Sequence, residues 1–214
     1  MKVKSFDRKK ELMEAALDEF GIKSYEEASL NNIIKNAGIS KGTFYYHFQD
    51  KKALYLSLIQ STVDAKIEFM ETKIKDVTRN GDLNLFDHFR VQVKFGLEFA
   101  NHYPKYYMLS MMFLKEKGNQ IYHEAMDMLG DTSEKYHEEL LEKAIEKGEF
   151  RAGVSIRFLK KILNHLFIRF TEIFDIKAAD FDFDLILQDY NDLIDFMQYG
   201  LANDRLNKGR GDSI

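Results

Sequence analysis

The sequence predicts an all-α protein, and three observations carry that reading. A single Pro and twelve Gly in 214 residues leave few punctuation points and disfavour a turn-rich β-sandwich. Apolar residues make up 45 % of the chain, enough to bury a core rather than leave it disordered. Those apolar residues recur at the three- and four-residue spacing of helix faces.

The first helix is expected over about Ser5 to Phe20. Phe6, Leu12, Met13, Ala16, Leu17 and Phe20 share one face, and Gly21 supplies a C-cap position. Ser29 can N-cap a second helix whose buried stripe is Ile33, Ile34 and Ala37, ending at Gly38. Ser40 can cap a third that runs to about Phe48, so only Gly38 and Ile39 separate the two helices. Two short helices joined by so tight a Gly-containing turn form a helix-turn-helix. Asp50 can then cap a long fourth helix through Leu54 and Leu58. Five more helices are expected beyond it: Leu83–Asn101, Pro104–Lys115, Asn119–Lys147, Ser155–Asp175 and Asp182–Asn203. Pro104 suits a helix start, and Gly148 breaks the chain after the seventh helix. Three parts are expected: a helix-turn-helix head over residues 1–50, a body over 51–206 and a polar, Gly-containing tail over 207–214.

The third helix concentrates the candidate chemistry. Phe44 and Phe48, four residues apart, face the head's core, which leaves Lys41, Gly42, Thr43, Tyr45 and His47 mostly on other faces. Gly42 has no side chain to keep a duplex backbone away. Lys41 can reach a guanine edge or a phosphate, and Thr43 a phosphate or a thymine methyl. Tyr45 and Tyr46 can donate their hydroxyls to phosphates, and Lys51 adds a cation at the start of the fourth helix. The formal charge of −4 argues against nucleic-acid binding, but it is an average. Residues 1–60 hold ten Lys/Arg and eight Asp/Glu, a net of +2, and the remainder is at −6.

The stretch from Ser29 through Lys41-Gly42-Thr43-Phe44-Tyr45-Tyr46-His47-Phe48 to Lys51-Lys52-Ala53-Leu54 resembles the TetR family of bacterial transcriptional regulators. The resemblance covers roughly residues 5–60 closely, and beyond them it is one of helix count. It implies a double-stranded DNA operator read by a homodimer. By position it puts the DNA-contacting places on Ser29, Asn31, Lys41, Gly42, Thr43, Tyr45, Tyr46, His47 and Lys51. Asn31 is neutral where some members carry Arg.

The last two expected helices are apolar over more than one stripe, which implies burial on two sides, most simply against a twofold-related copy. The expected dimer residues are Leu159, Ile162, Leu163, Leu166, Phe170, Tyr190, Leu193, Ile194 and Met197. The resemblance places a small-molecule effector chamber in the middle helices. Its candidates are Phe99, His102, Tyr103, Tyr106, Tyr107, Met108, Met111, Met112, Tyr122, His123 and Met126, with His165 from the later pair. Aromatic density alone does not mark them, because residues 158–199 are equally aromatic, but flexible Met side chains suit an adaptable apolar site. Ligand there would pivot the fourth helix and alter the spacing of the two heads. A DNA-bound scaffold with no inducer is the alternative on the same fold.

Other chemistry finds no support. Six scattered His show no metal spacing, and Cys is absent. Asp180-Phe181-Asp182-Phe183-Asp184 begins like a calcium loop, but its sixth position is Leu185 and its twelfth Asn191. No phosphate loop, dinucleotide fingerprint or nucleophile elbow occurs, so neither a cofactor nor an enzymatic activity is expected. No signal peptide or membrane-length apolar run is present, and the expected compartment is the cytoplasm.

Overall fold

The computed structural model of the chain describes residues 8–79, 81–130, 132–168, 173–174 and 183–202. Among them are ten helices: α1 (Lys9–Phe20), α2 (Leu30–Asn36), α3 (Lys41–His47), α4 (Lys51–Thr78), α5 (Leu85–His102), α6 (Pro104–Lys115), α7 (Gln120–Leu129), α8 (Thr132–Glu146), α9 (Ile156–Ile168) and α10 (Phe183–Leu201). The expected start at Ser5, the dimer candidate Phe170, Asp180 and Asp182, and the tail lie outside the described residues.

The helix starts follow from side-chain caps. The Ser29 hydroxyl accepts the Asn32 N–H at 3.4 Å, the Ser40 hydroxyl accepts the Thr43 N–H at 3.0 Å, and Asp50 accepts the Ala53 N–H at 2.7 Å. Each fills one of the orphan donors of a first turn. Gly38 lies in the left-handed region at φ 62°, which lets α2 stop and α3 start within a few residues. The expected single helix over 119–147 is two. Gly130, at φ 65°, ends α7 with its N–H donated to the Met126 carbonyl, and a new helix starts at Thr132. A left-handed glycine is a stop that apolar spacing on its two sides does not reveal.

The chain divides into two compact units. The first comprises Met1–Phe69 and Glu98–Gly130, and the second Met70–Leu97 and Asp131–Ile214. This division does not coincide with the head–body boundary after residue 50. The reason is visible in the core of the first unit. Leu12, Ala16, Phe20, Ile33, Phe44 and Phe48 of the head form one cluster with Leu54, Tyr55 and Leu58 of α4, Leu109 of α6, and Ile121 and Ala125 of α7. Three helices of 7 to 12 residues cannot cover their own apolar surface, so the head completes its core with later helices. The second unit is built on Leu85, Phe86, Phe89, Leu141, Ala144, Leu163, Leu193, Ile194 and Met197. There Arg90 donates to Asp195 and, at 2.8 Å, to Gln198, tying α5 to α10.

Candidate nucleic-acid interface

The head turns α3 so that one face is anchored and the others are open. Phe44 is fully buried and Phe48 nearly so, and their rings pack 6.2 Å apart. Around this anchor Lys41, Gly42, Tyr45 and Tyr46 are exposed, Thr43 and His47 half-buried. Tyr45 and Tyr46 are 59 % and 66 % exposed, an unusual state for large aromatic residues on a short helix with a buried core beneath it. Tyr45 rests edge-on against Phe44 at 5.1 Å, and Tyr46 against His47 at 5.0 Å, so both rings are braced by a neighbour. The Thr43 hydroxyl is held by Ser40 at 2.9 Å. Asn31 is exposed on α2, and the Ser29 hydroxyl is spent on its cap. Lys41, Gly42, Thr43, Tyr45, Tyr46 and His47 therefore share one short element that presents a cation, a bare backbone segment and several hydroxyls.

Lys51 is placed differently from the rest. Its ammonium donates to the carbonyls of Tyr25 at 2.7 Å, Ala28 at 3.1 Å and Glu26 at 3.3 Å, and it lies 4.5 Å from the Tyr25 ring centroid.

Three residues that no sequence pattern marks shape this head. Arg8 donates to the Gly38 carbonyl at 2.5 Å and so braces the tight turn from the start of α1. Glu19, 7 % exposed on α1, accepts the Ser29 N–H at 3.0 Å and Lys23 at 2.7 Å. Burial pushes its carboxyl up, but the bonds from Lys23 and the Ser29 amide outweigh that and hold it below the usual carboxylate range. Glu116, 3 % exposed at the end of α6, accepts the Tyr25 N–H at 2.6 Å. No periodicity rule marks a carboxylate as buried, so only the packing could show these last two.

The effector candidates fall into separate groups. Phe99, His102, Tyr103 and Tyr106 pack as one aromatic cluster that also contains Phe69 of α4, with Phe69–Phe99 at 5.7 Å and Phe99–Tyr103 at 5.0 Å. Tyr122 stacks on Phe113 at 4.8 Å with His123 beside it. Tyr107, Met111 and Met112 are half-buried, while Met108 and Met126 are exposed. His165 belongs to the second unit and borders an open groove of about 610 Å³ along α9, next to Phe158 and Ile162.

The dimer candidates divide by face. Leu159, Leu163, Leu193, Ile194 and Met197 are buried within the chain's own second unit, and Ile162, Leu166 and Tyr190 are partly buried against its core. Among the described residues, the exposed apolar ones of the same two helices are others: Ile156, Phe158, Leu185, Phe196 and Tyr199, with Phe196 at 75 %.

A short helix anchored by two phenylalanines, entered through a glycine turn and open on its polar and tyrosine face, defines a helix-turn-helix DNA-binding protein. The profile of bacterial regulatory proteins, tetR family, matches residues 12–58, which span this head and the start of α4. The chain is 37 % identical to the uncharacterized HTH-type transcriptional regulator YdgC of Bacillus subtilis over 59 residues, which cover 28 % of this chain and 30 % of that protein. It is 23 % identical to the fatty acid metabolism regulator protein of the same organism, over 72 % of this chain and 76 % of that protein. The crystal structure of the transcriptional regulator FadR from Bacillus subtilis in complex with stearoyl-CoA shares the fold. Its TM-score is 0.67 at 16 % identity, covering 86 % of this chain and 96 % of that one. No helix among the described residues is long and apolar enough to cross a membrane.

Proposed function

We propose that this protein is a homodimeric repressor that docks α3 in the major groove of a palindromic operator and is released by a small apolar or aromatic effector. The observation that carries the reading is the face of α3 that exposes Lys41, Gly42, Tyr45 and Tyr46 beside a half-buried Thr43, over the buried Phe44. Residues 1–50 read the duplex, and residues 51–206 supply the dimer and the effector site. Lys41 reads a base edge or a phosphate, and Thr43, Tyr45 and Tyr46 position the backbone. Ser29, Asn31 and His47 flank this face. The protein works in the cytoplasm and performs no catalysis.

The dimer is supported by two features of α9 and α10. Phe158, Leu185, Phe196 and Tyr199 leave an apolar surface uncovered in the single chain. The two helices also carry opposite charge. Arg157, Lys160 and Lys161 sit on α9 with no acid, and Asp184, Asp189, Asp192 and Asp195 sit on α10 with no base. Lys160 and Asp195 are already paired within the chain, with Glu142 and Arg90, and pairing α9 of one chain with α10 of a twofold copy brings Arg157 and Lys161 toward Asp189 and Asp192. The outward residues form the interface and the inward ones, Leu159, Leu163, Leu193, Ile194 and Met197, support it. The effector class is supported by the Phe69–Phe99–Tyr103–Tyr106 cluster and by the fatty acid metabolism regulator similar to this chain over most of its length.

Purified protein and the DNA flanking its own gene test the proposal. Retention of one fragment in the presence of excess random duplex is expected. Equal competition by all duplexes at moderate salt overturns it.

A further inference from the structure

The turn between α1 and α2 is gripped from two sides at one residue. From α4, Lys51 donates to the carbonyls of Tyr25, Glu26 and Ala28 at 2.7, 3.3 and 3.1 Å, and the ammonium sits 4.5 Å from the centroid of the Tyr25 ring. An ammonium has three N–H donors, and here all three are used. From the end of α6, the buried Glu116 accepts the Tyr25 N–H at 2.6 Å, while Asn119 secures its other oxygen at 2.6 Å. The Tyr25 ring is itself packed 5.1 Å from the ring of Tyr55 on α4 and 6.4 Å from that of Phe20. Four residues further on, Ser29 opens α2.

We propose that Lys51 is a positioning residue rather than a phosphate contact, and that the main chain of Tyr25 links the α6–α7 corner to the placement of α2. A lysine that turned to a phosphate would leave three carbonyls of a partly buried turn without it, and unsatisfied carbonyls in such a place are costly. A surface lysine facing the duplex has no such ties. The same turn takes a bond from the C-terminal end of α6, so a displacement of that corner pulls on the residue that Lys51 holds. The grip acts on the helix that precedes α3 across the Gly38 turn, and through it on the DNA-reading face. This inference rests on the reading of the head as DNA-binding, and its test separates the two.

The test compares Lys51→Met, which keeps the stem and removes the donors, with Glu116→Ala, which removes the other grip. The first measurement is amide hydrogen exchange across residues 25–37 in the protein without DNA. Both variants are expected to speed exchange at Tyr25 and in α2 by about tenfold or more, with α9 and α10 unchanged. Unchanged exchange in either variant overturns the proposal. The second measurement is affinity against salt for a duplex that the wild-type protein has selected from a random pool. Lys51→Met is expected to weaken binding with the slope of log K against log salt preserved. A slope shallower by about one unit marks a lost phosphate contact and overturns the proposal. If the wild-type protein selects no duplex, the DNA-binding reading fails, while the exchange result still decides whether Lys51 and Glu116 hold the turn.

Discussion

Replacing Phe196 by Ala separates the inward and outward faces of α10. Phe196 is 75 % exposed in the single chain, and Ile194, two residues earlier, is fully buried. A Phe side chain presents roughly 200 Å² of accessible surface. About 150 Å² of it is therefore left for a partner, worth about 3–4 kcal/mol at ~25 cal/mol per Å². Alanine keeps the Cβ and gives up about two thirds of that, or ~2.5 kcal/mol on each side of a twofold interface. The dimer then loses up to about 5 kcal/mol, which raises its dissociation constant by about 10³- to 10⁴-fold. Sedimentation equilibrium over a concentration series reads this directly. The thermal midpoint extrapolated to the monomer should stay in place for Phe196→Ala. Ile194→Ala should instead cost the fold about 2–5 kcal/mol, because it opens a cavity in the second unit. An unchanged dissociation constant in Phe196→Ala refutes the assignment of this face to the dimer.

Other outcomes follow from the same contacts. Gly38→Ala places a Cβ on a backbone at φ 62° and should destabilise the head by about 1–2 kcal/mol, read as a lowered denaturation midpoint. Glu19 is held below its ordinary value in the fold, so the stability it contributes is full above the unfolded carboxylate range and is lost as pH falls through its folded value. Glu19→Gln should therefore lower stability at pH 7 and flatten the acid limb of the pH profile. Glu149 has the opposite sign. Burial pushes its carboxyl up, only partly offset by the Leu85 N–H it accepts at 2.8 Å, so its charged form opposes folding as pH rises. Glu149→Gln keeps an oxygen for that N–H and should raise the melting temperature at pH 7, with the gain vanishing below pH ~4, where the Glu is protonated in both states.

The parts of the head that local chemistry dictates were legible in the sequence. Ser29, Ser40 and Asp50 cap where their side chains can reach an orphan N–H, and Phe44 and Phe48 face inward because four residues bring them onto one stripe. What depends on the identity of a neighbour was not legible. The last two helices are apolar on more than one stripe, and periodicity does not say which one the chain itself will cover. Ile194 and Phe196 are alike in sequence and opposite in burial. Glu19 and Glu116 read as surface carboxylates because only a folded turn brings Ser29 and Tyr25 amides to them. Lys51 looked free for a phosphate for the same reason: its acceptors are carbonyls 23 to 26 residues away in sequence. The long seventh helix expected over 119–147 stops at Gly130, whose left-handed backbone no apolar pattern reveals.

The placement of α3 in a major groove is tested most directly by methylation protection on a duplex the protein has selected from a random pool. Guanine N7 lies in the major groove and adenine N3 in the minor groove, so the reagent reports on each. Protected guanine N7 positions are expected in two inverted half-sites, spaced by about one helical turn or a small multiple of it. Lys41→Ala should weaken that protection at one position of each half-site. Protection confined to adenine N3, or guanine protection indifferent to Lys41→Ala, Thr43→Ala and Tyr45→Ala alike, would contradict this placement.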